Sequence, residues 1–282
     1  MEEILTLASE LHNPQMELLL LRSCLGVPKI NFLLRTLNPE GISDSIEHID
    51  KVLAVALGSI IGGSHHANFD QSTIDIIHFP FRLGGLAVPQ VSTLAPSAYL
   101  GARIDYYNSL LNSSEKDAAL RELHTLFSVW KARFIPANVD LTLDDVLQER
   151  KPQKYLSILV SNHRYQSLID SLPEGVQKSR LVSNAESKSR WLLVYPRFGL
   201  SAQNFPPLQF QMALRIWLGL PLGIFPSNNP KRSFRCKCGR ISDIFGLHLS
   251  RCNRLHAPVH KHMVKLLMRH ILWPKLTWKI QL

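Results

Sequence analysis

The sequence predicts a mainly α protein: a multi-helix body followed by a small C-terminal zinc knuckle. Three observations carry this expectation. Apolar residues recur at three- and four-residue spacing along most of the chain, as in "PPLQFQMALRIWLGLP". The runs are separated by helix start and stop signals such as Asn13-Pro14, Asn38-Pro39 and Gly62-Gly63. Three of the four cysteines fall within the seventeen positions 236–252, inside a basic segment.

Taken in order, clustered leucines mark helices over 4–12 and 15–25, the second opened by Asn13-Pro14. "KINFLLRTL" continues the spacing as far as Asn38-Pro39. A buried helix is expected over 46–61, stopped by Gly62-Gly63, because glycine takes the left-handed conformation that closes a helix. "STIDIIHFPFRLGGLAVPQ" (72–90) reads as an extended crossing with a tight turn, given its β-branched residues, two prolines and Gly84-Gly85. Helices follow at about 92–112, 115–133, 142–149 and 154–171. Asp144-Asp145 opens the third of these, where acids favour the positive end of the helix dipole. "SRWLLVYP" is either a short helix or an apolar extended segment. "PPLQFQMALRIWLGLP" is a proline-opened helix with Phe210, Leu214, Trp217 and Leu218 on one face. "PSNNPKR" (226–232) is the clearest linker, and Cys24, in an apolar run, is expected to be a small buried hydrophobe.

Charge changes at that linker. Residues 231–282 hold twelve Lys and Arg against one acid, Asp243, a net charge of +11. The preceding 230 residues hold twenty basic and twenty-one acidic side chains, a net charge of −1. A block of this kind suits a polyanion, above all nucleic acid, because each phosphate neutralised releases a condensed counterion. The N-terminus "MEEILTLASE" is acidic where a secretory signal is basic, and the apolar runs are too short to span a bilayer. The expectation is an intracellular protein, nuclear or cytoplasmic, with no membrane and no small-molecule substrate. Thiols there stay reduced, so clustered cysteines point to metal rather than disulfides.

The cluster reads Cys236-x-Cys238, nine residues, then His248-x3-Cys252. Three thiols and one imidazole make a closed tetrahedral set for structural zinc, with no open position for water. Gly239 and Gly246 allow tight turns around the metal, and Phe245 and Leu247 would cover it. His256 and His260 are near enough to compete with His248 as the fourth ligand, His256 being the main alternative. Arg235, Lys237, Arg240, Arg251, Arg254 and Lys261 surround the cluster as candidate phosphate contacts. Trp273 and Trp278 offer rings that either stack on unpaired bases or pack on the final helix.

Catalytic constellations are poor fits. "HAPVH" (256–260) places two histidines four apart but lacks the glutamate base and carries Pro258 inside the would-be helix. Ser64, His65 and His66 are adjacent in sequence and do not form a triad. No Gly-rich phosphate loop is present.

Five stretches come in a familiar order: "LLLLRSCLGVPKINFLLRTLNP", "FPFRLGGLAVPQVSTLAPSAYLGAR", "RLVSNAESKSRWLLVYP", "MALRIWLGLPL" and "CKCGRISDIFGLHLSRCNRLHAPVHKHMVKLL". Together they resemble the region downstream of the palm in non-LTR (LINE-like) retrotransposon reverse transcriptases, over roughly residues 15–270. The resemblance implies thumb-like helices over 1–40, a helical linker domain over 41–228, a basic zinc-knuckle module over 229–262 and a truncated C-terminal helix over 263–282. It implies that thumb and linker hold template and primer while the knuckle helps grip RNA or DNA. Polymerisation needs a palm Asp-Asp turn to carry two metal ions. Asp144-Asp145 lies too far downstream of the thumb-like segment to be that turn, and no Asp or Glu follows Asp243. The expectation is therefore a non-catalytic C-terminal portion of such a polymerase, binding nucleic acid. A helical protein–protein adaptor with a purely structural zinc site is the alternative.

Overall fold

A computed structural model describes residues 2–62, 69–186, 206–221, 238–240 and 245. The chain divides into two compact units, Met1–Leu218 and Gly219–Leu282. The described part of the first unit is helical throughout, with no strand among the described residues.

Helix α1 (Glu2–Ser9) leads into α2 (Pro14–Leu20). The start of α2 follows from its sequence: the Asn13 side chain accepts from the Met16 N–H at 3.2 Å, and Pro14 needs no donor there. The helix then widens into a π-helical turn, Leu21–Leu25. That turn alters the phase of the apolar stripe, placing Leu21 in the core and Cys24 in solvent. Cys24 is thus exposed, not the buried hydrophobe its neighbours suggested.

Helix α3 (Val27–Thr36) ends at Leu37, and a 3-10 turn (Pro39–Ile42), capped by the Asn38 side chain, leads into α4 (Ser43–Ile61). Ile46, Leu53, Leu57, Ile60 and Ile61 form the buried stripe of α4, and Gly62 ends it at φ 80°. Gly62 is the expected left-handed stop, and a Cβ there would also meet Gln211 at 2.9 Å.

The 72–90 segment departs from expectation. Its first half is helix α5 (Gln71–His78), because the Asp70 carboxylate accepts from the Thr73 N–H at 2.9 Å and Ile76 and Ile77 are buried. A side-chain cap and apolar burial outweigh the β-branched composition. The tight turn expected from the glycines does follow, as a 3-10 turn over Phe81–Leu83 with Gly84 at φ 79°. Gly85 is required as well, since a Cβ there would lie 2.0 Å from the Phe79 carbonyl oxygen.

Helices α6 (Val91–Ser109), α7 (Ser113–Phe134), α8 (Leu143–Leu147) and α9 (Pro152–Ser171) match the expected order. Helix α6 is central and packs against α3, α4, α7 and α9. Leu100, Ile104, Leu123, Phe127, Trp130 and Leu156 belong to the core that α6 shares with α7 and α9. The α6–α9 crossing is close: a Cβ on Gly101 would lie 2.7 Å from Gln153 Cα. Gln153 also accepts from Arg35 at 2.6 Å and donates to Asn31 at 2.9 Å, while Arg35 pairs with Asp105 at 2.7 Å. These bonds tie α3 to both α6 and α9.

Helix α10 (Val176–Ala185) carries only a weak sequence signal. It starts at Gly175 without a side-chain cap and buries just Leu181 and Asn184. Helix α11 (Pro207–Leu218) buries the four residues assigned to one face, Phe210, Leu214, Trp217 and Leu218, against α2, α4 and α5. "SRWLLVYP" and the linker 226–232 lie outside the described residues.

Candidate functional site

Of the proposed zinc ligands, Cys238 is described. It is half-buried and is followed directly by Gly239 at φ 86°. Glycine adopts that left-handed conformation without the steric cost other residues carry. Nothing within 4 Å crowds Gly239, leaving conformation rather than space as the reason for glycine. Arg240 and Phe245 are exposed. Cys236, His248, Cys252 and the alternative His256 lie outside the described residues, as do Arg235, Lys237, Arg251, Arg254 and Lys261. Among the described residues no three His, Cys, Asp or Glu side chains converge on a metal position.

In the helical body, the structure brings together three stretches far apart in sequence. Trp217 Nε1 in α11 donates to the Gly84 carbonyl oxygen at 2.7 Å. The Asn184 side chain in α10 donates to the Trp217 carbonyl oxygen at 2.8 Å. A Cβ on Gly84 would meet Asn184 Cβ at 2.9 Å and the backbone of Leu181 and Ala185 at 3.2 Å. Hence Gly84, Asn184 and Trp217 bring the Phe81–Leu83 turn, α10 and α11 together at one buried junction. Periodicity placed Trp217 on a core face but gave no sign of its hydrogen bond.

No family model, curated protein or solved structure matches the chain.

Around this junction, long-range polar contacts complete several helix ends. The Asp50 carboxylate of α4 accepts from the N–H groups of Val91 and Ser92 at 2.6 and 3.0 Å, capping α6, whose own N-cap residue Gln90 makes no side-chain cap bond. Arg215 of α11 donates to the Gly62 carbonyl oxygen at 3.1 Å, placing a cation at the negative end of α4. Arg164 of α9 pairs with Asp75 at 2.5 Å and donates to Thr93 Oγ1 at 2.8 Å. His78 Nδ1 lies 2.7 Å from the Val88 carbonyl oxygen, so that nitrogen carries the proton of the neutral ring. Burial pushes the His78 pKa below the ordinary imidazole value, and Arg164 acts in the same direction.

Asp144-Asp145 has a structural role. Asp145 accepts from the backbone N–H and the hydroxyl of Thr142 at 2.8 and 2.7 Å, while Thr142 Oγ1 accepts from the Asp145 N–H, closing a capping box at the start of α8. Those bonds from Thr142 lower the Asp145 pKa. No helix among the described residues is long and apolar enough to cross a membrane.

Proposed function

We propose that the chain binds nucleic acid through its basic C-terminal segment, ordered around one zinc ion held by Cys236, Cys238, His248 and Cys252. In this reading it performs no chemistry of its own. It acts as the nucleic-acid grip of a protein akin to the post-palm region of non-LTR retrotransposon reverse transcriptases. One observation carries the proposal: residues 231–282 hold a net +11 while the rest of the chain holds −1. A net excess of Lys and Arg confined to one segment gives the footprint of a polyanion partner.

Two features add support. The basic segment falls within the second of the two units into which the chain divides, Gly219–Leu282. The left-handed Gly239 directly after Cys238 is compatible with a tight ligand-bearing turn. Zinc would fix the short loop between Cys236 and Cys252 without a large core, presenting Arg235, Lys237, Arg240, Arg251, Arg254 and Lys261 to phosphates.

The test is affinity for single-stranded RNA and DNA oligonucleotides across a salt series. Log affinity falls linearly with log salt at about −0.7 per phosphate neutralised on a single strand, so several contacts give a steep slope. A flat dependence, or no binding at low salt, rejects the proposal and favours a helical adaptor with a structural zinc.

A further inference from the structure

Two concavities of the helical body share one ridge, made by Arg133 and Phe134 at the end of α7. On one side lies a cavity of about 320 Å³ walled by the Pro39–Ile42 turn, α4, α6 and α7. Its surface is largely aromatic and aliphatic, with Tyr99 and Phe134 partly exposed and Trp130 beneath them. Trp130 is fixed there, since its Nε1 donates to Ser97 Oγ at 2.9 Å and its ring lies 6.0 Å from that of Phe134.

On the other side is an open cleft of mixed polarity, about 490 Å³, between the end of α7 and α9, with Asp75 from α5. Arg133, His163 and Ser167 line it. Arg133 is exposed, and no acid lies within ion-pair distance of it among the described residues. Its guanidinium lies against the Phe134 ring, 5.1 Å from the centroid, which holds the charge at the ridge. Arg164 also lines the cleft, but Asp75 neutralises it, so Arg133 supplies the cleft's uncompensated positive charge.

The cavity wall formed by the 3-10 turn and α4 has the opposite polarity, with Glu40 and Glu47 lining it; Glu47 also pairs with Lys51 in solvent. In α6, Pro96 has no N–H to give the Ser92 carbonyl, and both residues line the cavity. The arrangement is therefore an apolar aromatic cavity with acceptors on one wall, sharing a cationic rim with a neighbouring cleft.

We propose that this ridge seats one unpaired nucleotide of a bound strand, its base in the aromatic cavity and its phosphate in the Arg133 cleft. A base has a π-face for Tyr99 and Phe134 and exocyclic N–H donors for the acceptor wall. A phosphate takes charge-assisted hydrogen bonds from the guanidinium of Arg133 and neutral ones from Ser167. A purely apolar ligand would leave Arg133 and the acceptors unused. The inference rests on the nucleic-acid reading above but concerns a second contact point, on the helical body rather than in the basic segment.

The test uses the full chain with a short single-stranded oligonucleotide carrying 5-iodouridine, crosslinked by light and mapped by mass spectrometry. Crosslinks are expected within 99–134, at Tyr99, Trp130 or Phe134. Arg133→Gln, a surface change, should lower the log–log salt slope by about 0.7, the value of one phosphate on a single strand. Tyr99→Leu keeps the bulk of the wall while removing the π-face, and should weaken binding about fivefold or more. Crosslinks confined to residues 219–282, together with unchanged binding by both variants, would overturn the ridge site and leave the basic segment as the grip. A wild-type chain that binds no oligonucleotide at low salt would remove the nucleic-acid reading and the ridge site with it. If uridine monophosphate displaces the crosslinked strand as effectively as unmodified oligonucleotide does, the site belongs to free nucleotides and the strand proposal fails.

Discussion

Trp217 Nε1 donates to the Gly84 carbonyl oxygen at 2.7 Å, although 133 positions separate the two residues. Both are buried, and Asn184 closes the arrangement by donating to the Trp217 carbonyl oxygen. The Phe81–Leu83 turn, α10 and α11 thereby become one packed unit, and each partner constrains the other two.

Trp217→Phe keeps most of the apolar volume but leaves the Gly84 carbonyl buried without this donor. The expected cost is about 1–3 kcal/mol of unfolding free energy. Gly84→Ala should cost at least about 1–2 kcal/mol for the left-handed backbone alone, with crowding against Asn184 added. Gly41→Ala, where nothing lies within 4 Å of the new Cβ, is the control and should change stability little. Urea denaturation of the three variants decides the matter; equal midpoints for Gly84→Ala and Gly41→Ala would dismiss the junction.

Asp50 caps a helix to which it does not belong. Removing its carboxylate in Asp50→Ala leaves the Val91 and Ser92 N–H groups without their acceptor, at an expected cost of about 0.5–2 kcal/mol. Amide hydrogen exchange should show faster exchange at 91–94 than at the far end of α6. Uniform exchange along the helix would contradict the remote cap.

His78 makes stability pH-dependent with a definite sign. Its folded pKa is lowered, chiefly by burial, so below about 6.5 the unfolded chain binds more protons than the folded one. The His78 contribution is fully present above that value and is lost as pH falls through the folded pKa. Unfolding free energy measured between pH 8 and pH 5 should decline on the acid side, and His78→Gln should flatten that limb. A wild-type profile identical to that of His78→Gln would exclude this linkage.

Zinc should be separable from the helical body. Cys236→Ser or Cys252→Ser is expected to lose one equivalent of zinc and to disorder residues 233–256, while far-UV circular dichroism keeps its helical signature. Elemental analysis finding no zinc in the purified wild type would reject the metal assignment.

Much of the helical order was legible from local rules. Asn13-Pro14 marked the start of α2, Gly62 the end of α4, and the spacing of Phe210, Leu214, Trp217 and Leu218 the buried face of α11. Asp144-Asp145 was correctly placed at a helix start, and Gly84 in a tight turn. Two local readings failed where a feature outside the simple period intervened. The π-helical turn set Cys24 facing solvent, and the Asp70 cap made a helix of a β-branched run. Helix α10, with two buried residues and no side-chain cap, left too little pattern to read.

The sequence by itself determined the number and order of most helices and the confinement of positive charge to residues 231–282, because caps, apolar period and composition are local properties. Only the tertiary structure decided which helix end meets which charge, as with Asp50 at α6 and Arg215 at α4. It alone joined Trp217 to Gly84 and set an aromatic cavity beside a cationic cleft across Arg133 and Phe134. Those relations depend on how helices cross, and crossing is set by close approaches such as Gly101 on Gln153. Side chains brought together from distant parts of the chain leave no periodic trace in it.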